Sequence, residues 1–126
     1  MPEKVKPKIF IVEDELSIRD MYAYKLRSAG YQIFTAHDGQ TGLNMAKKHT
    51  PDIILLDLRM PHMSGDKMLE KLREHDWGAN MRVVVMTNIS KEEAPSILRF
   101  LSVDRYVVKA HTTPAEVVKI VQEILG

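Results

Sequence analysis

The chain has 126 residues, enough for one domain of ordinary size and too few for two. Its 18 basic and 17 acidic residues leave a formal net charge of +1, which argues against a nucleic-acid-binding surface or a polybasic membrane anchor. There is no cysteine, so disulfides, thiol nucleophiles and thiolate metal sites are excluded. No apolar run approaches the roughly 18 residues of a membrane span, and the first residues lack the apolar centre of a signal peptide. We therefore expect a cytoplasmic protein that binds neither nucleic acid nor a membrane.

The first half of the chain alternates strands and helices. Residues 1–7 are a short polar segment, which we expect to be a flexible leader. The β-branched segment "KIFIV", residues 8–12, is apolar without alternation and predicts an interior strand. A helix is predicted over residues 16–29, ending at Gly30, because Ile18, Tyr22, Leu26 and Ala29 share one helical face. The next predicted elements are a strand at residues 31–36, a helix from Asp38-Gly39 to about Lys48, and a strand at residues 53–56.

The second half continues the alternation. A third helix, marked by Met68, Leu69 and Leu72, is predicted to end near His75. The apolar segment at residues 81–87 predicts a strand that ends on Thr87. A fourth helix is predicted over residues 95–101, with Pro95 in its first turn because proline disrupts a helix interior. A fifth strand at residues 104–108 precedes "TPAE", a capping box with proline at the first helical position, which predicts a last helix that runs to the C-terminus.

Five strands that alternate with five helices through short connections predict an α/β fold with a doubly wound parallel sheet. No internal repeat, linker or low-complexity tract interrupts residues 8–126. We therefore predict a single domain over residues 8–126, with no output domain.

Polar side chains follow four of the five predicted strands. The buried strand "IILL" leads directly into Asp57, although an isolated carboxylate is costly in an apolar interior. The other strand ends carry Glu13 and Asp14, Thr87, and Lys109. Because the carboxyl ends of parallel strands border the crevice in which α/β sheets bind ligands, we expect these groups to meet there.

The chemistry of that group of side chains points to phosphoryl transfer. Three neighbouring carboxylates repel one another and favour a bound cation. Carboxylates with carbonyl and water oxygens are the ligands that Mg²⁺ prefers, and Mg²⁺ with a nearby lysine suits phosphoryl transfer. A carboxylate can also be the nucleophile and form an aspartyl phosphate, and Asp57, on the central strand, is the natural candidate.

Four motifs in this order carry a resemblance to a known family. They are "VEDE" after the first strand, "LLDLRMPHMSG" around Asp57, "MT" at the fourth strand and "YVVK" at the fifth. Across Lys8 to Leu125 the chain resembles the response regulator receiver (CheY-like) domain of bacterial two-component signal transduction. The resemblance implies a five-stranded flavodoxin-like (βα)5 fold with strand order 2-1-3-4-5.

The same resemblance implies a phosphoacceptor and a metal site. Asp57 would accept a phosphoryl group from a histidine on a kinase or phosphotransfer protein. Asp14 would bind Mg²⁺ directly and Glu13 would bind it through water. Asp57 and the backbone carbonyl of Arg59 would complete the protein ligands.

The resemblance also implies how the signal spreads. Lys109 would pair with the Asp57 carboxylate and then with the phosphoryl oxygens. Thr87 would hydrogen-bond the phosphoryl group and pull its loop inward, and Tyr106 would be the aromatic switch that turns inward behind it. Because a phosphoryl group brings about −1.5 to −2 charges, it can remodel the face formed by the fourth helix, the fifth strand and the last helix.

The function predicted on this basis is a stand-alone receiver in a Mg²⁺-dependent phosphorelay. Its partners would be a histidine kinase or phosphotransfer protein and a downstream protein target, and it would be a monomer or a weak homodimer. The chain would not be an enzyme with a separate substrate, because it promotes only its own phosphorylation and slow dephosphorylation.

Two alternatives remain open from the sequence. Asn88 stands where the family has a small residue, and Ala110 stands where it commonly has proline after a cis peptide bond, so a degenerate receiver that acts as a phosphorylation-independent scaffold is possible. For Lys109–Ala110 we predict a trans bond, because a cis bond before alanine costs about 2.5–4 kcal/mol. A Mg²⁺-dependent phosphohydrolase is the other alternative; such enzymes often carry an acid two residues after the nucleophile, where this chain has Arg59.

Overall fold

The computed structural model of the chain describes residues 5–126, so the predicted leader at residues 1–7 lies partly outside the described residues. The described part contains five strands, four α-helices and three short 3₁₀ helices. The strands are β1 (Lys8–Val12), β2 (Gln32–Ala36), β3 (Ile53–Leu56), β4 (Arg82–Thr87) and β5 (Arg105–Val108). The α-helices are α1 (Leu16–Ser28), α2 (Gly39–His49), α3 (Gly65–Arg73) and α4 (Pro114–Leu125), and the 3₁₀ helices are Lys91–Glu93, Ser96–Phe100 and Lys109–His111.

The five strands form one parallel sheet in the order β2-β1-β3-β4-β5, which confirms the predicted strand order. Strand β3 is central and buried along its whole length, as its continuous apolar sequence requires. Within residues 5–126, no helix is both long and apolar enough to cross a membrane.

Alternate residues of the central strands build two apolar layers, one on each face of the sheet. Ile11 and Leu55 face α1 and α4, where they pack in one cluster with Leu26 and Val121. The other face of the same strands packs against α2, α3 and the segment that follows β4. The sheet is therefore covered on both faces, and the edge at which its strands end is left for polar side chains.

Helix termini follow the predicted local signals. Thr113 accepts a hydrogen bond from the Glu116 backbone N–H at 3.2 Å, and the Glu116 carboxylate accepts from the Thr113 backbone N–H at 3.2 Å, which confirms the capping box. Gly30 follows α1 with φ +99°, a conformation that glycine adopts readily. The prediction that Ala29 faces the core is wrong: it is exposed, because it caps the helix as the chain turns away.

The predicted fourth helix is also wrong. Over the predicted residues 95–101, Pro95 is extended, with ψ of 130°, and Ser96–Phe100 form a 3₁₀ helix in place of an α-helix. A second 3₁₀ helix, Lys91–Glu93, precedes Ala94, which is also extended, with ψ of 147°. Proline pushes the residue before it out of the helical region, so the two turns cannot join. Leu98 and Leu101, three residues apart as suits a 3₁₀ helix, anchor the segment to the core. A cleft of about 550 Å³ lies between this segment and β5.

The guanidinium of Arg73 ties this segment to the end of α3. It donates hydrogen bonds to the carbonyl oxygens of Gly78 and Met81, at 2.8 and 2.7 Å, in the loop before β4. It also donates to the carbonyls of Leu101 and Ser102, at 2.8 and 3.1 Å, in the loop before β5. One side chain thereby donates hydrogen bonds to carbonyls in two separate loops.

We expect Arg73→Ala to lower the free energy of unfolding by at least about 2 kcal/mol, because several carbonyls lose a charged donor. Arg73→Lys is expected to restore only part of this loss, since an ammonium lacks the planar fork of donors. Arg27→Ala, at an exposed position of α1, is the control and should change stability by less than about 0.5 kcal/mol. Urea denaturation measures all three variants, and equal losses for Arg73→Ala and Arg27→Ala would contradict the assignment.

Candidate functional site

Three carboxylates meet at the edge of the sheet where the strands end. Glu13 and Asp14 follow β1, and Asp57 follows β3. Each offers a carboxylate oxygen, and these oxygens all lie within 4.8 Å of one another. The structure thus brings together the three acids that the sequence singled out.

Backbone hydrogen bonds hold two of these acids rigidly. The N–H of Asp57 donates to the carbonyl of Val12, and the N–H of Glu13 donates to the carbonyl of Ala36, each at 3.0 Å. Both bonds extend the parallel ladder one residue past the strands, so the side chains start from fixed positions. Glu13 is only 4% exposed and Asp57 only 7% exposed, whereas Asp14 is open to solvent.

The ammonium of Lys109 neutralises part of this charge. Lys109 follows β5, and its Nζ forms ion pairs with Glu13 Oε1 and, at 3.3 Å, with Asp57 Oδ2. The resemblance implied that Lys109 pairs with Asp57. In the structure Glu13 is the nearer partner, so the lysine bridges two of the three acids.

Thr87 and Tyr106 bracket the loop that follows β4. Thr87 is buried, and its hydroxyl oxygen accepts a hydrogen bond from the Ile89 N–H at 3.4 Å. The hydroxyl of Tyr106 donates to the Ile89 carbonyl at 2.6 Å. Tyr106 is half-buried against the core and lines the cleft beside β5. The two residues therefore both hydrogen-bond the backbone of Ile89, Thr87 at its N–H and Tyr106 at its carbonyl oxygen.

Arg59 contributes to the site through its backbone. Its N–H donates to Asp57 Oδ1 at 3.4 Å, and its side chain is exposed. The use of its carbonyl as a metal ligand stays a prediction. The Lys109–Ala110 peptide bond is trans, as predicted.

A family model described as the response regulator receiver domain matches residues 9–122 of the chain. The chain belongs to this family. The resemblance seen in the sequence is thereby confirmed.

Named relatives agree with this assignment. The receiver is 34% identical over 119 residues to the alkaline phosphatase synthesis transcriptional regulatory protein PhoP of Bacillus subtilis, an alignment that covers 94% of this chain and 48% of that relative. It is 38% identical over 80 residues to sporulation initiation phosphotransferase F of the same organism, which covers 64% of this chain and 63% of that relative. The structure of the chemotaxis protein CheY4 of Vibrio cholerae matches with a TM-score of 0.87 at 28% identity, over 94% of this chain and 98% of that chain. The receiver thus spans about half the length of the first of these relatives.

The three acids of the receiver are chemically suited to Mg²⁺. All of their donor atoms are carboxylate oxygens, which hard cations prefer, and they lie close enough together to share an ion. Two of the acids are buried, and Lys109 balances only part of their charge. The residues present therefore fit this metal. Among residues 5–126 no histidine joins a group of three or more candidate metal ligands.

Burial also perturbs the protonation of the receiver's site. Desolvation raises the pKa of Glu13 from 4.5 to about 7, and the charge of Asp57 adds to this effect, although the hydrogen bond from Lys109 opposes it. Burial by itself would lower the pKa of Lys109, but its hydrogen bond to Glu13 and the charges of both acids raise it. The lysine therefore stays protonated while Glu13 titrates near neutral pH.

This raised pKa predicts a pH-dependent stability in metal-free protein. Between about pH 4.5 and about pH 7, Glu13 is more fully protonated in the folded state than in the unfolded state. The stability that this proton contributes is therefore complete below pH 4.5 and is lost as the pH rises through 7. We expect the free energy of unfolding in EDTA to fall between about pH 5 and about pH 8 by up to about 1.4 kcal/mol per pH unit from this group. Glu13→Gln should flatten the profile, because the amide does not titrate.

The control for this experiment is Glu74→Gln, which changes an exposed carboxylate at the end of α3. It should keep the wild-type profile in urea denaturation at the same series of pH values. If Glu13→Gln retained the wild-type slope, the raised pKa of Glu13 would be wrong.

Two residues that support the receiver's site were missed by the sequence analysis. The Arg19 guanidinium, on α1, donates to the Glu13 carbonyl at 2.9 Å and fixes the loop of the acid pair. Gly65, the first residue of α3, packs against the backbone of Asp57 so closely that no side chain fits between them. The only sequence signal for Gly65 was its place at the end of "LLDLRMPHMSG", and Arg19 had none, because its contact depends on the packing of α1.

Proposed function

We propose that this receiver accepts a phosphoryl group on Asp57 from a phosphohistidine of a histidine kinase or phosphotransfer protein, in a Mg²⁺-dependent reaction. One observation carries the proposal. The Asp57 carboxylate lies at the end of the central strand with an ammonium at 3.3 Å and two further carboxylates within 4.8 Å. Such a site offers a nucleophile and can neutralise the charge of a phosphoryl group.

The chemical step needs little more than position and charge. An Asp57 carboxylate oxygen forms a bond to phosphorus while the P–N bond of the donor breaks, and the electron pair of that bond returns to the imidazole nitrogen. Lys109 moves its ion pair onto the phosphoryl oxygens, and the Thr87 hydroxyl donates a hydrogen bond to one of them. Glu13, Asp14 and Asp57, with the Arg59 carbonyl, would hold Mg²⁺, which when bound supplies neutralisation of the phosphoryl charge.

The proposed output uses the loop after β4. A phosphoryl group on Asp57 draws Thr87 towards it, and the backbone of Ile89 follows, because its N–H is hydrogen-bonded to Thr87 and its carbonyl to Tyr106. Tyr106 lines a cleft of about 550 Å³ that gives its ring room to reorient. The face remodelled in this way consists of residues 91–108 and α4, with 3₁₀ turns in place of the expected fourth helix.

Acetyl phosphate, a small phosphoryl donor, tests the proposal without a cognate kinase. The receiver is incubated with acetyl phosphate and Mg²⁺, and its intact mass is measured. We expect a single phosphoryl adduct that survives mild acid, is lost in base, and does not form in EDTA.

Other outcomes of this experiment identify the alternatives. An unmodified mass with every donor tried would favour the scaffold function and contradict our proposal. Rapid turnover of unrelated phosphate esters without a stable adduct would favour a phosphohydrolase.

A further inference from the structure

A hydrogen bond between a side chain and the backbone joins the ends of β4 and β5 beyond the last pair of the strand ladder. The last paired residues of these strands are Thr87 and Val108, and the ladder stops there. One residue further along β4, the Asn88 side-chain oxygen Oδ1 accepts the backbone N–H of Ala110 at 2.9 Å. A side chain thus supplies the acceptor that a further backbone carbonyl would have supplied in a longer sheet.

The donor of this bond belongs to the turn that carries Lys109. Residues 109–111 form a 3₁₀ turn, in which the Thr112 N–H donates to the Lys109 carbonyl at 3.3 Å and the Thr112 hydroxyl donates to the Val108 carbonyl at 3.0 Å. These bonds stay within the turn. The bond from Ala110 to Asn88 is the one that connects the turn to the strand beside it.

We propose that Asn88 is a positioning residue whose carboxamide oxygen holds the Lys109–Ala110 peptide against the end of β4. The bond fixes the backbone from which the long Lys109 side chain reaches its two acids. It requires an N–H at residue 110, which alanine provides and proline does not. Asn88 and Ala110, which both depart from the family pattern, therefore act as a pair.

The same hydrogen bond also connects the two segments that carry Thr87 and Lys109. Thr87, which we expect to move towards a phosphorylated Asp57, is the neighbour of Asn88, and Lys109 is the neighbour of Ala110. The Asn88–Ala110 hydrogen bond links these two segments, so the loop after β4 and the Lys109 turn would move together. This consequence rests on the proposed function, but the positioning role does not.

The test uses the full chain, unphosphorylated and free of metal. Amide hydrogen exchange of Ala110 is followed by NMR, together with the side-chain ammonium signal of Lys109. Asn88→Ala should raise the exchange rate of Ala110 about fivefold, as expected for one solvent-accessible hydrogen bond. It should also broaden or shift the Lys109 ammonium signal, which a bond of purely local importance would leave unchanged.

Two further variants separate the acceptor from the size of the side chain. Asn88→Asp keeps an oxygen acceptor and should keep Ala110 protected. Asn88→Leu keeps the bulk without an acceptor and should match Asn88→Ala. Unchanged Ala110 exchange in Asn88→Ala, or protection retained in Asn88→Leu, would overturn the proposal. If the exchange results hold but no phosphoryl adduct forms, the proposed function fails and the positioning role of Asn88 stands.

Discussion

Asp57→Asn is expected to abolish the phosphoryl adduct completely. Asparagine has nearly the same shape as aspartate, but its amide is not a nucleophile and cannot form an acyl phosphate. The fold should survive, because the change removes one of three carboxylates whose oxygens lie within 4.8 Å of one another and leaves Glu13 as the partner of Lys109. Intact mass after incubation with acetyl phosphate and Mg²⁺ measures the loss.

A matched control keeps this result specific. Asp52→Asn changes an exposed aspartate just before β3, at the opposite end of the same strand, and should leave the adduct intact. Circular dichroism establishes that both variants are folded. A full-strength adduct on folded Asp57→Asn would place the phosphoacceptor elsewhere and end the proposed role of Asp57.

The same substitution has a second expected result. The charge of Asp57 contributes to the raised pKa of Glu13, so removing it should move the Glu13 pKa back towards 4.5. The fall in metal-free stability with rising pH should then be smaller and should end at a lower pH, while its onset near pH 4.5 stays where it is. This shift can be measured in the same urea series that tests Glu13→Gln, and it requires no phosphoryl donor.

Gly65→Ala is expected to be the most damaging single methyl addition near the site. A Cβ at this position would lie 2.0 Å from the Asp57 carbonyl oxygen and 2.9 Å from the Cα of Leu58, and real Cβ contacts are not shorter than 3.0 Å. Both neighbours are backbone atoms, so no side-chain rotation relieves the clash. Either the backbone at Asp57 and Leu58 or the start of α3 must therefore shift by about 1 Å.

We expect this shift to cost about 3 kcal/mol or more of unfolding free energy, at the upper end of overpacking effects. Because the displaced atoms belong to Asp57 itself, adduct formation should also slow by about 100-fold in the protein that remains folded. Urea denaturation and the time course of the intact mass measure the two effects separately.

Gly42→Ala is the matched control, since Gly42 is also a buried glycine at a helix–strand contact. Its added Cβ would meet Met68 Sδ at 3.0 Å, the end of a flexible side chain that can move aside. Alanine also favours the interior of α2 by about 1 kcal/mol. Stability should therefore change by no more than about 1 kcal/mol, and a Gly65→Ala variant as stable as this control would show that the backbone contact at Asp57 is wrong.

Much of the fold follows from local sequence signals. The apolar segments at residues 8–12 and 53–56 are strands with the predicted bounds, because a continuous apolar run of that length suits a strand covered on both faces. The Thr113 capping box marks the start of α4 through contacts within one turn. The fourth helix was mispredicted: Pro95, placed in its first turn, is extended, and apolar spacing does not distinguish the short 3₁₀ helix that follows it from an α-helix.

The positions of the reactive groups were also visible in the sequence. Glu13, Asp57 and Lys109 each follow a predicted strand directly, and a parallel sheet necessarily brings such residues to one edge. The sequence therefore determined which chemical groups meet and at which edge of the sheet they do so.

Only the tertiary structure decided how these groups pair. Lys109 and Glu13 are 96 residues apart, and the choice of Glu13 as the nearer partner depends on side-chain reach past the two strands between them, β4 and β3. The raised pKa of Glu13, the close contact of Gly65 with Asp57 and the Asn88–Ala110 bond likewise depend on burial and on distances between remote segments. Local patterns encode which element forms, whereas desolvation and ångström-scale contacts arise only once the elements have packed together.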